Sequence, residues 1–174
     1  MTSFKALCDV VFSHARILMA RDGYHHSFAI MVSKLRFVRV IGTNHPDRAS
    51  RYVLIRDLAQ LATLIEADGV IIIGEAWTAK VEDAPPSGYA VDARNRGEAL
   101  MMNAVDASGN SFAYRADIER KKRKKHKVKR LGPTQISEGD IQFIMTPFQS
   151  AWGCLDPERF REANEQVDSI GFAP

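Results

Sequence analysis

The chain has 174 residues, a length that fits one domain and buries about 70% of its unfolded surface, enough for a core without disulfide or metal staples. Hydrophobic residues at 45% and charged residues at 26% are ordinary globular values, and no apolar run approaches the roughly 18 residues of a membrane span. The formal charge of +3 hides an asymmetry: residues 120–130 hold nine of the 24 Lys/Arg, so that run carries +9 and the remaining 15 Lys/Arg face 21 Asp/Glu, a balance of −6.

Cys8 and Cys154 have neither pairing nor metal spacing, a usage that points to a reducing compartment. The N-terminus lacks the basic start and unbroken apolar stretch of a signal peptide. The expectation is a soluble, cytoplasmic protein.

Phe4, Leu7, Cys8, Val11, Ala15, Leu18 and Met19 recur at helical spacing. Thr2 or Ser3 can cap that helix and Gly23 can end it. Ser27–Val32 and Phe37–Ile41 read as two strands joined by a short turn at Ser33-Lys34. After a loop at residues 42–47, a second amphipathic helix is expected from Ala49 to Asp68, closed by Gly69. Val70–Trp77 is apolar on both faces for most of its length, the pattern of a strand in mid-sheet with cover on each side. Residues 80–97 form a long polar loop, and loops of that length are uncommon in compact domains unless functional or mobile.

Leu100–Asp106 and Ser111–Ile118 flank Ala107-Ser108-Gly109-Asn110 and predict a β-hairpin. The basic run follows directly. Ile141, Phe143 and Met145 alternate with Gln142, Ile144 and Thr146 as a last strand before Pro147. Asp156-Pro157-Glu158 supplies a cap, a first-turn proline and an acidic first turn for a third helix, with Phe160, Ala163, Val167 and Ile170 on its apolar stripe. The expectation is a single α+β domain over residues 1–174. A mostly antiparallel sheet of about six strands carries three helices in the order α-β-β-α-β-β-β-β-α, and the basic segment at 120–130 projects from it.

His25 and His26 are neighbours in or near a strand, where successive side chains point to opposite faces, and no paired-histidine or Cys-x-x-Cys spacing occurs. Neither a metal nor a cofactor is expected. Nucleophile-elbow and phosphate-loop signatures are missing too, so no catalytic residue is assigned. Glu75 interrupts the most apolar strand, and a carboxylate there must be paired, hydrogen-bonded or protonated. Arg94, Arg96 or Glu98 at the start of the next strand can reach it. Glu75, Trp77, Arg96 and Glu98 therefore form a candidate ligand or acid–base site, with a structural Glu75–Arg96 salt bridge as the plainer alternative.

The run itself supplies Arg120, Lys121, Lys122, Arg123, Lys124, Lys125, Lys127, Lys129 and Arg130. As a helix it would suffer like-charge repulsion at three- and four-residue spacing, whereas as a strand it extends the Ser111–Ile118 ribbon. Phosphates would relieve the repulsion and released counterions would supply affinity for a DNA or RNA backbone. No aromatic residue interleaves the cations, so any such contact reads backbone rather than base. A solvated loop, an anionic membrane surface or docking on an acidic protein partner are the alternatives, with nuclear import a further one in a eukaryotic host.

Ile-Ile-Ile-Gly-Glu-Ala-Trp at 71–77, followed by Arg-Gly-Glu-Ala-Leu at 96–100 and a hairpin, resembles a class of small bacterial and phage proteins with a Glu-Ala-Trp strand end and a later Arg-x-Glu-hydrophobic strand start. The resemblance covers about residues 65–118. It implies a prokaryotic or phage setting, which argues against nuclear import, and it implies no activity. The leading functional expectation is a non-enzymatic protein that associates electrostatically with nucleic acid. A small enzyme or ligand-binding domain around Glu75, and an assembly component, are the alternatives.

Overall fold

A computed structural model describes residues 2–44, 48–86, 88–121 and 124–169, without the side chains of 48, 49, 81, 124–126 and 166–169. Its class is α+β. Four helices are present among the described residues: α1 (Phe4–Asp22), α2 (Arg48–Leu64), α3 (Thr146–Ala151) and α4 (Pro157–Ser169). They accompany seven strands: β1 (Phe28–Ser33), β2 (Arg36–Gly42), β3 (Gly69–Thr78), β4 (Gly97–Asp106), β5 (Ser111–Lys121), β6 (Lys124–Leu131) and β7 (Gln135–Glu138). Every strand pairing is antiparallel, in the order β2-β1-β3-β4-β5-β6, with β7 on β5 beside β6.

The β3 strand lies between β1 and β4 and is buried from Gly69 to Gly74, with Ile72 only 8% exposed. Its two apolar faces serve two cores. Ile71 and Ile73 join Leu7, Phe12 and Met19 of α1 on one side. Val70 and Ile72 join Ile55 and Leu58 of α2 and Phe148 of α3 on the other. A strand whose side chains alternate between two covered faces has no polar side to show, which is why its sequence is continuously apolar.

The ends of α1 follow the sequence. Ser3 Oγ accepts the Ala6 N–H at 3.1 Å, and Gly23 closes the helix in the left-handed region at φ 85°. Asp156 likewise caps α4, accepting from the Glu158 and Arg159 amides at 3.0 and 3.2 Å. The Phe160 ring stands edge-on to Phe143 at 5.8 Å, whereas the Val167 side chain and Ile170 of the expected stripe lie outside the described residues.

Four helices are described where three were expected, and the β1–β2 turn falls at Lys34-Leu35 and not at Ser33-Lys34. Three further expectations are corrected. The second helix ends at Leu64, not Asp68, because Glu66 takes a left-handed φ of 54°. Gly69 opens β3 instead of closing the helix, and a Cβ there would stand 2.6 Å from the Phe4 ring. The alternating stretch 141–145 is no strand: Phe143–Met145 is a 3-10 turn that leads into α3, which runs through Pro147 in its first turn. Proline is tolerated there because first-turn amides have no intrahelical partner. The strand that completes the sheet is instead the polar segment β7, lying along Phe112–Arg115.

Candidate functional site

Beyond Ile73, β3 has parted from β1 and pairs only with β4. Gly74 allows this parting. A Cβ on it would lie 2.1 Å from Ser27 Oγ and 3.1 Å from the Ser27 Cα, so only glycine lets the Tyr24–Ser27 segment cross so closely. That crossing brings the His25 backbone N–H onto Glu75 Oε1 at 2.6 Å. The register then sets Glu75 beside Leu100 and Ala116, and Trp77 beside Glu98, on the sheet face that α1 covers.

The cation that meets Glu75 comes from the basic run. Arg120 Nη2 donates to Glu75 Oε2 at 2.6 Å, its Nε donates to the Glu98 carboxylate, and its Nη1 donates to the Gly23 carbonyl at 2.7 Å. The three side chains are 18%, 27% and 24% exposed for Arg120, Glu75 and Glu98. A guanidinium is a planar fork of donors, and here each of its three nitrogens has an acceptor. Arg120 thus ties the start of the run to β3, to β4 and to the end of α1.

Arg96, one of the expected partners of Glu75, is engaged elsewhere. Its guanidinium lies over the Trp77 ring, 4.4 Å from the centroid, and donates to the Val91 carbonyl. Among the described residues Glu75 forms an ion pair with neither Arg94 nor Arg96. The four candidate residues Glu75, Trp77, Arg96 and Glu98 nevertheless line one open cleft of ≈ 1450 Å³, and Arg120 and Lys121 line it with them. Tyr89 and Val91 from the 80–97 loop also line it, as do Arg51 and Tyr52 of α2. Arg51, Arg96, Arg120 and Lys121 set four cations against two carboxylates along this lining. Beside it, His25 donates from Nδ1 to the His26 carbonyl at 2.7 Å, and burial pushes its imidazole below the ordinary histidine range.

The described residues of the run, 120–121 and 124–130, are part of the sheet. Arg120 pairs with Val128, Glu119 with Arg130 and Lys121 with Lys124, with register shifts on either side of Arg120. Ile118, Val128 and Leu131 turn inward and pack against the α1 core. Arg16 of α1 donates to the Gly132 carbonyl at 2.8 Å and holds the far end. Lys121, Lys127, Lys129 and Arg130 are exposed. Glu119 is 2.6 Å from Lys129 and 3.6 Å from Arg130. Lys122 and Arg123 lie outside the described residues, as do the side chains of Lys124 and Lys125.

Sequence reasoning missed that Val128, the one apolar residue of the run, marks its inward face. It also missed Arg120 as the partner of Glu75. The hairpin turn at Ser108-Gly109 carries the signal for the second, because it fixes Leu100 opposite Ala116 and so brings the end of β5 near Glu98.

Among the described residues no three His, Cys, Asp or Glu gather as a metal site, and no helix is long and apolar enough to cross a membrane. A family model described as bacteriophage lambda protein ea47 matches residues 1–165. Neither the curated proteins nor the solved structures yield a match. The match spans most of the 174 residues, so the chain belongs to that phage family.

Proposed function

We propose that this member of the ea47 family is a non-enzymatic protein that holds the backbone of DNA or RNA on the β5–β6 ribbon. The observation that carries the reading is the division of the ribbon's two faces. Ile118, Arg120, Val128 and Leu131 fasten one face to the body, which leaves Lys121, Lys127, Lys129 and Arg130 exposed, with Glu119 as the one carboxylate paired to them among the described residues. A cationic edge fixed to a net acidic body favours phosphate contact at one place and opposes wrapping elsewhere. Lys122, Arg123, Lys124 and Lys125 extend the same charge in sequence. Without aromatic residues in the run, its contacts supply affinity rather than sequence choice.

The test is a salt titration of binding to DNA, to RNA and to heparin, followed by fluorescence anisotropy. Five or six phosphate contacts give a log–log slope of about −4 to −5 on duplex DNA. Replacing Lys121, Lys127 and Lys129 by Gln flattens that slope. Absence of binding to either nucleic acid at low salt overturns the reading. Much tighter binding to an acidic protein replaces it with docking in an assembly.

A further inference from the structure

We infer that the cleft at the root of the ribbon receives an unpaired base, so that the ligand is a single strand in preference to a duplex. This rests on the reading of the ribbon as a backbone contact and adds the strandedness of the nucleic acid.

Three observations point the same way. First, the cleft collects exposed aromatic surface: Trp77 is 45% exposed, Tyr89 42% and Tyr52 55%, and all three line it. The Arg96 guanidinium lies over the Trp77 ring. Bases stack both on aromatic rings and on arginine planes, so this pair is a ready platform. Second, the charge is right for a phosphodiester chain. Glu75 and Glu98 are occupied by Arg120, and Arg96 makes no ion pair among the described residues. Third, Lys121 belongs both to the ribbon and to the cleft lining. A backbone running along the ribbon's cations passes the mouth of the cleft and delivers its next nucleotide there.

The dimensions agree. Small-molecule pockets are concave sites of about 300–1,000 Å³, whereas this cleft of ≈ 1450 Å³ is open and suits a length of chain. A duplex keeps its bases stacked inside, so reaching Trp77 would require flipping one out against stacking energy.

The experiment compares three probes of equal phosphate number at one low salt concentration. They are an oligothymidylate of about a dozen nucleotides, the abasic strand of the same length, and a short duplex. Binding is read by Trp77 emission in a Trp152→Phe background and by anisotropy. The oligothymidylate is expected to quench Trp77 and to bind about tenfold more tightly than the abasic strand, the worth of one stacked base. Trp77→Ala is expected to erase that difference while leaving abasic-strand binding unchanged, and Trp77→Phe to restore part of it. Equal binding of the oligothymidylate and the abasic strand overturns the base site and leaves the ribbon reading standing. The same holds if the duplex binds more tightly than either, or if Trp77→Ala weakens both strands alike. Failure of all three probes to bind overturns both.

Discussion

Arg120 reaches across β4 to place Nη2 2.6 Å from Glu75 Oε2. The first cation of the basic run is therefore a fastening to the body. It leaves the cluster with two partly buried carboxylates around one guanidinium. Removing the shared partner strands both charges, whereas altering one carboxylate leaves most of the hydrogen bonds in place. Arg120→Met is expected to cost about 3 kcal/mol in urea unfolding, near the lower end for a broken buried pair. Glu75→Gln is expected to cost about 1 kcal/mol, since the amide oxygen still accepts from His25 or Arg120. Equal costs for the two changes would contradict the shared-guanidinium account.

Gly74→Ala is expected to destabilise by about 1–3 kcal/mol, the range for forcing atoms into a packed site. The new methyl meets both the Ser27 hydroxyl and the Ser27 backbone, so a side-chain rotation alone does not relieve it. Ser27→Gly in the same chain removes the side-chain clash but not the backbone one and is expected to rescue only part of the loss. Thermal melting of the single and double variants checks this.

The stability of the fold is expected to fall on the alkaline side. Burial pushes the Cys8 thiol up to about 12 from an ordinary 9.0. Burial, with the hydrogen bond that Tyr114 donates to Asp9 Oδ1 at 2.7 Å, raises the Tyr114 hydroxyl well above its usual range. In both groups the folded state holds its proton longer than the unfolded chain does. Their contribution is fully present below pH 9 for Cys8 and below pH 10 for Tyr114, and it is lost as pH rises toward the folded values. Urea midpoints measured from pH 8 to 11 are expected to decline, and the decline to be shallower in Cys8→Ala. The same burial predicts that iodoacetamide leaves Cys8 unmodified until the protein is unfolded.

The β1–β2 turn carries avoidable strain. Lys34 and Leu35 both sit in the left-handed region, at φ 50° and 62°, in a two-residue connection that favours Asn-Gly. Lys34→Asn is expected to stabilise by about 0.5–1 kcal/mol, with its backbone N–H still donating to Asp68 Oδ2 at 2.9 Å. Leu35 is partly buried against the core, so Leu35→Gly is expected to give no net gain. Melting temperatures of the two variants separate strain from packing.

Much of the fold was legible because local chemistry and tertiary demand agreed. The continuous apolar run at Val70–Ile73 has one physical solution, a strand covered on both faces. Asp156-Pro157 and Ser3 are capping residues whose hydrogen bonds form within one turn. Residues 141–145 misled because five alternating residues fit either a strand or a tight turn with its side chains under α2, and Pro147 suits a helix start as well as a strand end. The strand β7 was invisible because it is a polar edge segment whose only qualification is a free edge of β5. The candidate cleft was half legible. Glu75, Trp77 and Glu98 follow from one strand and its neighbour, but their cation arrives from two strands away, beyond the reach of spacing arguments.

The bonds of Arg120 span 97 residues to Gly23, 45 to Glu75 and 22 to Glu98. Synthesis from the N-terminus makes both carboxylates, and the helix end they neighbour, before the guanidinium that reconciles them exists. The earlier part of the chain thus waits on one later residue for its closure. A deletion that trims the ribbon from its root takes away a clasp of the interior as well as a cationic edge. Shortening the stretch between Lys121 and Lys127 spares both Arg120 and Val128, and is the cut through which charge and folding can be varied independently.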